Sequence, residues 1–510
     1  MARPVLIRNA EVWGHGLADM RIEGGVITEI RPNNSPRPGP SLAHSADNQH
    51  RHPGLDPGSR FSGSADSGTP DQVRGDAKRK LVEIDARGGA LLPGLHDHHI
   101  HLAGLAARAA SVWCGPPEIE TAEALTAQLA AIPGQGWLRG IGYQESVMGL
   151  PDATALNALV PHRPLRMQHR SGRMWLLNSS ALAELLDRAD PPPGLERDAG
   201  GYTGRLFDED QWLREALGST PPDFAAVSAK LASWGVTGIT DMSPRNDAAM
   251  AAHFAAQHES GNLQQQCWLA GELSLAQAPA GSWHLGPAKL HLHEAALPDF
   301  DDAAAFVAAA HAQGRGVAVH CVSEVELVFT LAMFETAGAI PGDRIEHASI
   351  ASLDLVERIA ALGLAVCAQP HFVHERGDRY LLDVEPRHLG DLYRLASLNA
   401  AGIALAGGSD APFASADPWE AMAAAVSRQT RGGLVFGAAE ALMPEQALEL
   451  YFAAPGDLTQ RRHLAVGQPA DLCLLTRPWA EARGVLSSDL VRATIIAGRL
   501  VRDCIDQPPA

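Results

Sequence analysis

Residues 91–102 read LLPGLHDHHIHL, which places four histidines and one aspartate in six positions after an apolar run and a Pro-Gly pair. This density of imidazole groups indicates a metal site. Two overlapping His-x-His pairs are available, His96/His98 and His99/His101, and strand alternation puts both members of a pair on one face. We predict that the pair nearer the carboxyl end of the strand, His99 and His101, binds the metal. His96 and His98 are then expected to face the surrounding helices.

The composition is typical of a soluble globular protein with a substantial core, because 46% of the 510 residues are apolar and 20% are charged. The apolar runs fall short of the roughly 18 residues that a membrane span requires. The start of the chain shows no apolar signal-peptide core, so we expect a cytoplasmic protein without a membrane partner. The net charge of −18 argues against nucleic acid as a partner. The six cysteines are scattered, which argues against a disulfide framework or a zinc-thiolate site.

Residues 33–80 differ from the rest of the chain. They contain few large apolar residues and many prolines and glycines, so they cannot bury enough surface to offset the entropy of ordering. We predict a disordered, low-complexity insertion. Short β patterns flank it at 1–32 and 81–92 and return at 464–510, and we expect these segments to form one small β-sandwich domain. Residues 93–463 are predicted to form the main domain.

The main domain alternates short apolar strands with Ala/Leu-rich helical stretches, the pattern of parallel βα units. Eight strands end in polar residues: 95–102, 236–242, 264–271, 288–294, 317–321, 344–348, 365–371 and 403–410. Eight such units predict an α/β fold of the distorted TIM (β/α)8 barrel type, with its active site at the carboxyl ends of the strands.

Residues 103–235 are too long for a single βα connection and carry strand-like, turn and helical segments of their own. Long functional loops belong on the active-site face of a barrel. We interpret this segment as an inserted substrate-capping region that covers the mouth.

Polar side chains recur at the carboxyl ends of four predicted strands. Strand one offers His99 and His101, strand five offers His320, strand six His347 and strand eight Asp410. Since these strand ends meet on one face of a barrel, the side chains are expected to converge. Imidazoles with one carboxylate suit zinc or another borderline divalent ion. A lone buried histidine is more often a core residue, but five such groups at corresponding strand ends favour a metal site.

Four motifs resemble those of the amidohydrolase superfamily. PGLHDHHIHL is similar to its PG-[LF]-x-D-x-H-x-H signature, and VAVHCVSE, DRIEHASI and GGSDAPF look like its strand-five, strand-six and strand-eight motifs in the same order. The resemblance covers nearly the whole chain apart from 33–80. RPLRMQHRSGRMWLLNSSAL further resembles the amidohydrolase-3 group, which includes N-substituted formamide deformylase-like proteins. Dimers are common among such proteins, so a homodimer is one option.

The resemblance implies roles for particular residues. His99 and His101 would bind a buried metal, with Asp410 as a further ligand. His320 and His347 would bind a second metal, or orient the substrate if one ion is present. One or two divalent ions, zinc above all, are therefore the expected cofactors.

Lys289 stands where this group carries a strand-four lysine that is often carboxylated, so that its carbamate bridges two metals. An unmodified ammonium would repel the metals, whereas a carbamate supplies two anionic oxygens. The alternative is an unmodified Lys289 that contacts an anionic group of the substrate.

Three further residues are candidates for substrate binding. Alternation puts His293 on the same face as Lys289, although a supporting hydrogen-bond role is the favoured interpretation. His371 follows strand seven and is a candidate for lining the pocket. Arg173 replaces a histidine that is common in related proteins, and its planar fork suits a substrate carboxylate. The alternative for Arg173 is a surface salt bridge.

Together these residues predict metal-assisted hydrolysis of a non-peptide C–N bond, in an amide, N-acyl or N-formyl group of a small-molecule substrate. Asp410 would move a proton from water to the leaving nitrogen, and His347 or His320 would stabilise the oxyanion. A rival hypothesis is a mononuclear zinc deaminase that uses Glu324 as a proton shuttle. A non-catalytic scaffold relative is a weaker rival, because every expected ligand is retained.

Overall fold

The computed structural model describes residues 3–33, 81–116, 118–218, 221–276 and 281–504. The predicted insertion 33–80 lies outside the described residues apart from Asn33. In chain order the strands are β1 Val5–Val12, β2 Gly16–Glu23, β3 Val26–Pro32, β4 Val82–Asp85, β5 Ala90–Pro93, β6 Leu95–Ile100, β7 Val112–Trp113, β8 Leu138–Tyr143, β9 Leu165–His169, β10 Met174–Leu177, β11 Leu195–Asp198, β12 Gly201–Phe207, β13 Val236–Asp241, β14 Gln266–Gly271, β15 His284–His291, β16 Val317–Cys321, β17 Arg344–His347, β18 Ala365–Ala368, β19 Leu405–Gly407, β20 Ala453–Ala454, β21 Asp457–Arg461, β22 Leu472–Leu475, β23 Val491–Ile496 and β24 Arg499–Asp503.

The α-helices are α1 Leu102–Ala109, α2 Ala122–Ala130, α3 Glu145–Met148, α4 Ala153–Leu159, α5 Ser179–Arg188, α6 Asp210–Leu217, α7 Ala225–Ser233, α8 Ala248–Glu259, α9 Phe300–Ala312, α10 Glu324–Ala337, α11 Leu353–Ala361, α12 His371–Asp383, α13 Leu395–Ala400, α14 Pro418–Ser427, α15 Pro444–Glu449 and α16 Trp479–Ala482. Short 3-10 turns cover Glu294–Ala296, Pro386–Asp391, Ala438–Glu440 and Ser488–Leu490. In the part of the chain that the structure describes, no helix has the length and apolar character needed to cross a bilayer.

Eight parallel strands form the central sheet, in the order β6-β13-β14-β15-β16-β17-β18-β19. They are the eight strands predicted from the sequence, in the same order, so the distorted (β/α)8 barrel is confirmed. The first and last strands meet where the Asp410 amide donates to the His99 carbonyl at 2.6 Å and the His101 amide donates to the Ala411 carbonyl at 2.8 Å. A Cβ on Gly408 would lie 2.4 Å from His99 Cβ, so this seam requires glycine.

Alternation within the strands produces the two layers of the barrel. In β16, Val317, Val319 and Cys321 pack into the main apolar core with the helices, while the small Ala318 packs inside the barrel with Met242. Helix α10 follows at once, because Ser323 and Glu326 form a reciprocal capping box. Only two residues therefore separate the end of β16 from the start of α10.

Strand β6 contains a bulge that changes the expected direction of its histidines. Its pairing with β13 gains one residue between Asp97 and Ile100, and a bulge resets the alternation of side chains. His96 bonds to Thr240 Oγ1 at 2.9 Å, on the face of β13 opposite Ile239, which packs in the main core with the helices. The His98 ring lies 4.5 Å from that of His96. The prediction that His96 and His98 face the helices is therefore wrong: they lie inside the barrel, below the site.

Strands from both ends of the chain form a second sheet with the order β24-β23-β22-β5-β1-β2-β3, and β4 pairs with β1. Its alternating apolar residues form a separate core. The β2–β3 and β23–β24 turns contact each other, since a Cβ on Gly498 would lie 2.8 Å from Gly25 Cα. The sheet is therefore curved, so that the β2–β3 turn and the β23–β24 turn are in contact. The boundaries of the small domain at 1–32, 81–92 and 464–510, and of the main domain at 93–463, remain predictions.

Most of the segment 103–235 forms a third sheet with the order β11-β12-β10-β9-β8-β7. This sheet and helices α2 to α6 have apolar cores of their own. The segment is therefore built as a folded unit between β6 and β13 rather than as an extended loop.

Candidate metal centre

Three side chains converge where the first and last barrel strands meet. His99 is the last but one residue of strand β6, His101 is the residue that precedes helix α1, and Asp410 follows β19. Asp410 Oδ1 lies 3.1 Å from His101 Nε2 and 3.5 Å from His99 Nε2. The three groups line a cavity of about 570 Å³. Two imidazole nitrogens and one carboxylate oxygen aimed at a common point are a donor set for a divalent ion.

His99 is oriented by a buried carboxylate. Its Nδ1 lies 2.5 Å from Glu346 Oε2, and the other oxygen of Glu346 accepts from Arg344 Nε at 2.6 Å. Burial opposes ionisation of Glu346, but the charge of Arg344 and the hydrogen bond from His99 outweigh it and hold the pKa of this carboxyl well below its usual range. Burial lowers the pKa of His99 to about 3. The ring is therefore neutral, and with Nδ1–H donated to Glu346 its Nε2 lone pair is available to an ion.

His320 and His347 extend the cluster. Their ring centroids are 4.5 Å apart, and the His347 ring lies 4.9 Å from that of His99. His347 Nδ1 is bonded to Gln369 Oε1 at 2.7 Å. Burial lowers the pKa of both His320 and His347, so both rings are neutral ligands or hydrogen-bond partners.

Two of these residues hold left-handed backbone conformations, with φ of +72° at His347 and +52° at Asp410. Non-glycine residues rarely adopt such values, and where they do the strain commonly marks a functional site. Here the conformations turn both side chains into the cavity that they line.

Lys289 lies in the same cavity and is 5% exposed. Within the described residues, its Nζ has no hydrogen-bond partner. Burial lowers the pKa of Lys289. A buried, partnerless nitrogen costs free energy, and neutral histidines with a carboxylate beside it are suitable metal donors. The residues present therefore fit one or two divalent ions.

The structure brings the six predicted metal-binding residues together, since all of them line one cavity: His99, His101, Lys289, His320, His347 and Asp410. It does not bring the three predicted substrate-binding residues into that lining. Strand β15 ends at His291, so His293 lies past the strand, is exposed, and accepts from the Ala295 amide at 3.2 Å. His291 lines the cavity instead.

His371 and Arg173 are placed elsewhere by local contacts. His371 begins helix α12 and its Nε2 is bonded to the Ser409 carbonyl at 2.9 Å, beneath the cavity wall. Arg173 makes a two-pronged ion pair with Asp208, at 2.8 and 2.6 Å, and its side chain is 76% exposed. The surface salt bridge is therefore what the structure shows for Arg173.

The structure adds residues that the sequence reasoning missed. Glu346 fixes His99, Gln369 fixes His347, and Ser243 Oγ lies 3.1 Å from His101 Nδ1. Phe413 and Arg376 line the cavity. The strand RIEH held a usable signal for Glu346, because alternation puts it on the same face as Arg344, where two buried charges need each other as partners.

Comparisons with known proteins agree with this geometry. A model of the amidohydrolase family matches residues 82–502. N-substituted formamide deformylase of Arthrobacter pascens is 26% identical over 506 residues, covering 85% of this chain and 92% of that protein. YtcJ of Bacillus subtilis (strain 168), named an amidohydrolase, is 26% identical over 487 residues, covering 82% of this chain and 90% of YtcJ.

The fold is also found in a solved structure, that of an uncharacterized metal-dependent hydrolase from Pyrococcus furiosus. The TM-score is 0.70 at 18% identity, and the match covers 93% of this chain and 99% of that one. The family model spans most of the sequence, including every strand that carries a residue of the cluster. This chain therefore belongs to the amidohydrolase family and is a hydrolytic enzyme.

Proposed function

We propose that this enzyme hydrolyses a non-peptide C–N bond in a small molecule, namely an amide, N-acyl or N-formyl group, with one or two divalent ions as cofactor. The observation that carries the proposal is the convergence of His99 Nε2 and His101 Nε2 on Asp410 Oδ1 beside the partnerless Lys289. Imidazoles with a carboxylate favour zinc among the common ions. The formamide deformylase relative acts, by its name, on a bond of this class.

A divalent ion bound by these side chains would polarise the scissile carbonyl and lower the pKa of water to near neutrality. The remaining steps belong to the protein. Asp410 is ionised at neutral pH, because its contacts with His101 and the neighbouring histidines outweigh burial and lower its pKa. Its carboxylate would accept a proton from the attacking water and deliver it to the leaving nitrogen. The N–H of the neutral His347 ring is donated to Gln369 Oε1, so its other nitrogen would be a metal ligand. The neutral ring of His320 would then be the donor to the developing oxyanion.

Lys289 is proposed to carry a carbamate. A neutral lysine amine adds to carbon dioxide and releases one proton, and a desolvated site favours the neutral amine. The product would replace the buried, partnerless Nζ amine with an anionic group whose two oxygens can bind metal ions. A carbonyl resonance from isotope-labelled bicarbonate that is absent in Lys289→Ala would support the carbamate, and its absence in the native protein would exclude it.

The deaminase hypothesis is less well supported by the site. It requires a second carboxylate near the ion, and Glu324 was the candidate. Glu324 begins α10, is 38% exposed at its side chain and lies 3.8 Å from His388 rather than in the cavity. Asp410 is the one carboxylate among the described residues that line the cavity.

The test is hydrolysis of a panel of N-formyl, N-acyl and cyclic amides by protein whose metal content has been measured. We expect one class to be hydrolysed after reloading with zinc or manganese, and Asp410→Asn to lose at least about 100-fold in kcat. An enzyme that releases ammonia from aminated heterocycles, but hydrolyses no amide of the panel, would establish the deaminase instead.

A further inference from the structure

Arg376 is a cation of the cavity wall that the chemistry above does not use. It lies in the second turn of α12 and lines the same cavity as the histidines. Its Nη2 donates to the Phe413 carbonyl at 2.7 Å. Its guanidinium carbon lies 4.0 Å from the centroid of the Phe372 ring, one helical turn earlier. The guanidinium is thus held in one place and half-buried.

Arg376 has no anionic partner within 4.0 Å among the described residues. Glu375, the adjacent carboxylate, accepts from the Ser415 amide at 2.9 Å. Asp410, the carboxylate of the cavity, lies against His101. By contrast, Arg379 on the same helix is paired with Asp383 at 2.8 Å. A planar fork of five donors therefore faces the cavity with most of its donors unused by the described residues.

The position of Arg376 relative to the ligand cluster follows from Phe413. The Phe413 ring lies 5.7 Å from the His101 ring, and the carbonyl of the same residue binds Arg376. One residue therefore separates the guanidinium from a metal-binding histidine. A molecule with its scissile carbonyl at His101 can reach Arg376 through a few bonds.

We propose that Arg376 binds a carboxylate of the substrate, so that the preferred substrates are amides that carry a carboxylate a few bonds from the scissile carbonyl. N-acylated amino acids are the simplest class with this chemistry. The inference rests on the proposed function and names its substrate class. A guanidinium pairs with a carboxylate through two parallel hydrogen bonds. The exposed ring of Phe413 and the ring of Phe372 offer apolar surface beside that pair.

The test compares each N-acyl amino acid with its methyl ester, since the ester removes the charge and adds one methyl group. We expect the metal-loaded enzyme to prefer the free acid in kcat/KM. Arg376→Ala should lose about 10- to 100-fold on the free acid, the range for a hydrogen bond to a charged group. It should change little on the ester, and Arg376→Lys should recover part of the loss. Arg379→Ala is the matched control and should behave like the native enzyme on both members.

The outcomes separate the two proposals. Equal loss on acid and ester in Arg376→Ala, or no preference for the acid in the native enzyme, would overturn the role of Arg376 and leave amide hydrolysis standing. If the native enzyme hydrolyses other amides of the panel but neither member of any pair, the inferred substrate class fails alone. If it hydrolyses no amide at all, the proposed function fails. Calorimetric binding of the free acid to native protein, but not to Arg376→Ala, would then still support the carboxylate site, and equal binding would overturn it. If Arg376→Ala does not fold, the comparison moves to Arg376→Lys and to inhibition of the native enzyme by the free-acid product against its neutral amide.

Discussion

Replacing Glu346 with glutamine should weaken metal binding, although Glu346 need not touch the ion. Both of its oxygens are engaged, by His99 Nδ1 at 2.5 Å and by Arg344 Nε at 2.6 Å, and its side chain is fully buried. Glutamine keeps the size of the side chain and removes its charge. The His99 ring then loses the carboxylate that orients it and raises the basicity of its other nitrogen.

The expected magnitude has two parts. Loss of a group that supports a metal ligand typically costs 10- to 100-fold in affinity, and we expect Glu346→Gln to fall in about that range. Arg344 also becomes a buried cation without its carboxylate, which destabilises the metal-free protein by about 3–5 kcal/mol. The two effects are separable, because the first is measured on folded protein and the second by unfolding.

The assay is competition for zinc against a graded chelator, followed by denaturant unfolding in excess chelator. Glu335→Gln is the matched control: it removes the same charge from an exposed pair with Arg358 at 2.8 Å, where an ion pair contributes little. Native zinc affinity in a Glu346→Gln protein that unfolds more easily would refute the orienting role. Glu346 would then serve only to neutralise Arg344.

The remaining predictions follow from other contacts. His99→Ala should lose bound metal and His98→Ser should keep it, as measured by metal content per chain. The reverse result would show that His98, and not His99, binds the metal. Arg173→Ala should leave KM unchanged for anionic and neutral substrates, because the guanidinium is paired with Asp208, and a raised KM for the anionic substrate alone would contradict this. Burial raises the pKa of Asp417 in the folded protein. Above that raised pKa the carboxylate is charged and lowers the free energy of unfolding, whereas below the pKa of an unfolded aspartate it is protonated in both states and has no effect. Asparagine also alters the hydrogen bond that Asp417 accepts from Ser488 Oγ, so the informative quantity is the Tm of Asp417→Asn minus that of the native protein. This difference should rise from about pH 4 to about pH 8, and a difference independent of pH would contradict the role of burial.

Much of the barrel and of the ligand cluster could be predicted because their signals are local. The barrel strands are short and polar residues lie at or just beyond their carboxyl ends. His320 is the last but one residue of β16, and His347 is the last residue of β17. Parallel strands in a barrel bring such ends together by geometry alone.

Other features depend on contacts between distant segments. The bulge of β6 arises from its pairing with β13, so strict alternation misplaced His96 and His98. Strand β15 begins at His284 and ends at His291, earlier at both ends than its pattern indicated, which left His293 outside the cavity. The placement of Arg376 depends on a carbonyl of the loop after β19. No local sequence pattern distinguishes Arg376 from Arg379 on the same helix.

The seam between β6 and β19 has a consequence for how the enzyme acquires its ion. These are the first and the last strands of the barrel to leave the ribosome, and His99 meets Asp410 only across that seam. A nascent chain that ends before residue 410 has the two histidines but lacks the carboxylate. Metal loading is therefore expected to follow closure of the barrel rather than to guide it. Metal supply would then decide what fraction of finished molecules is active, and would have little effect on the yield of folded chains.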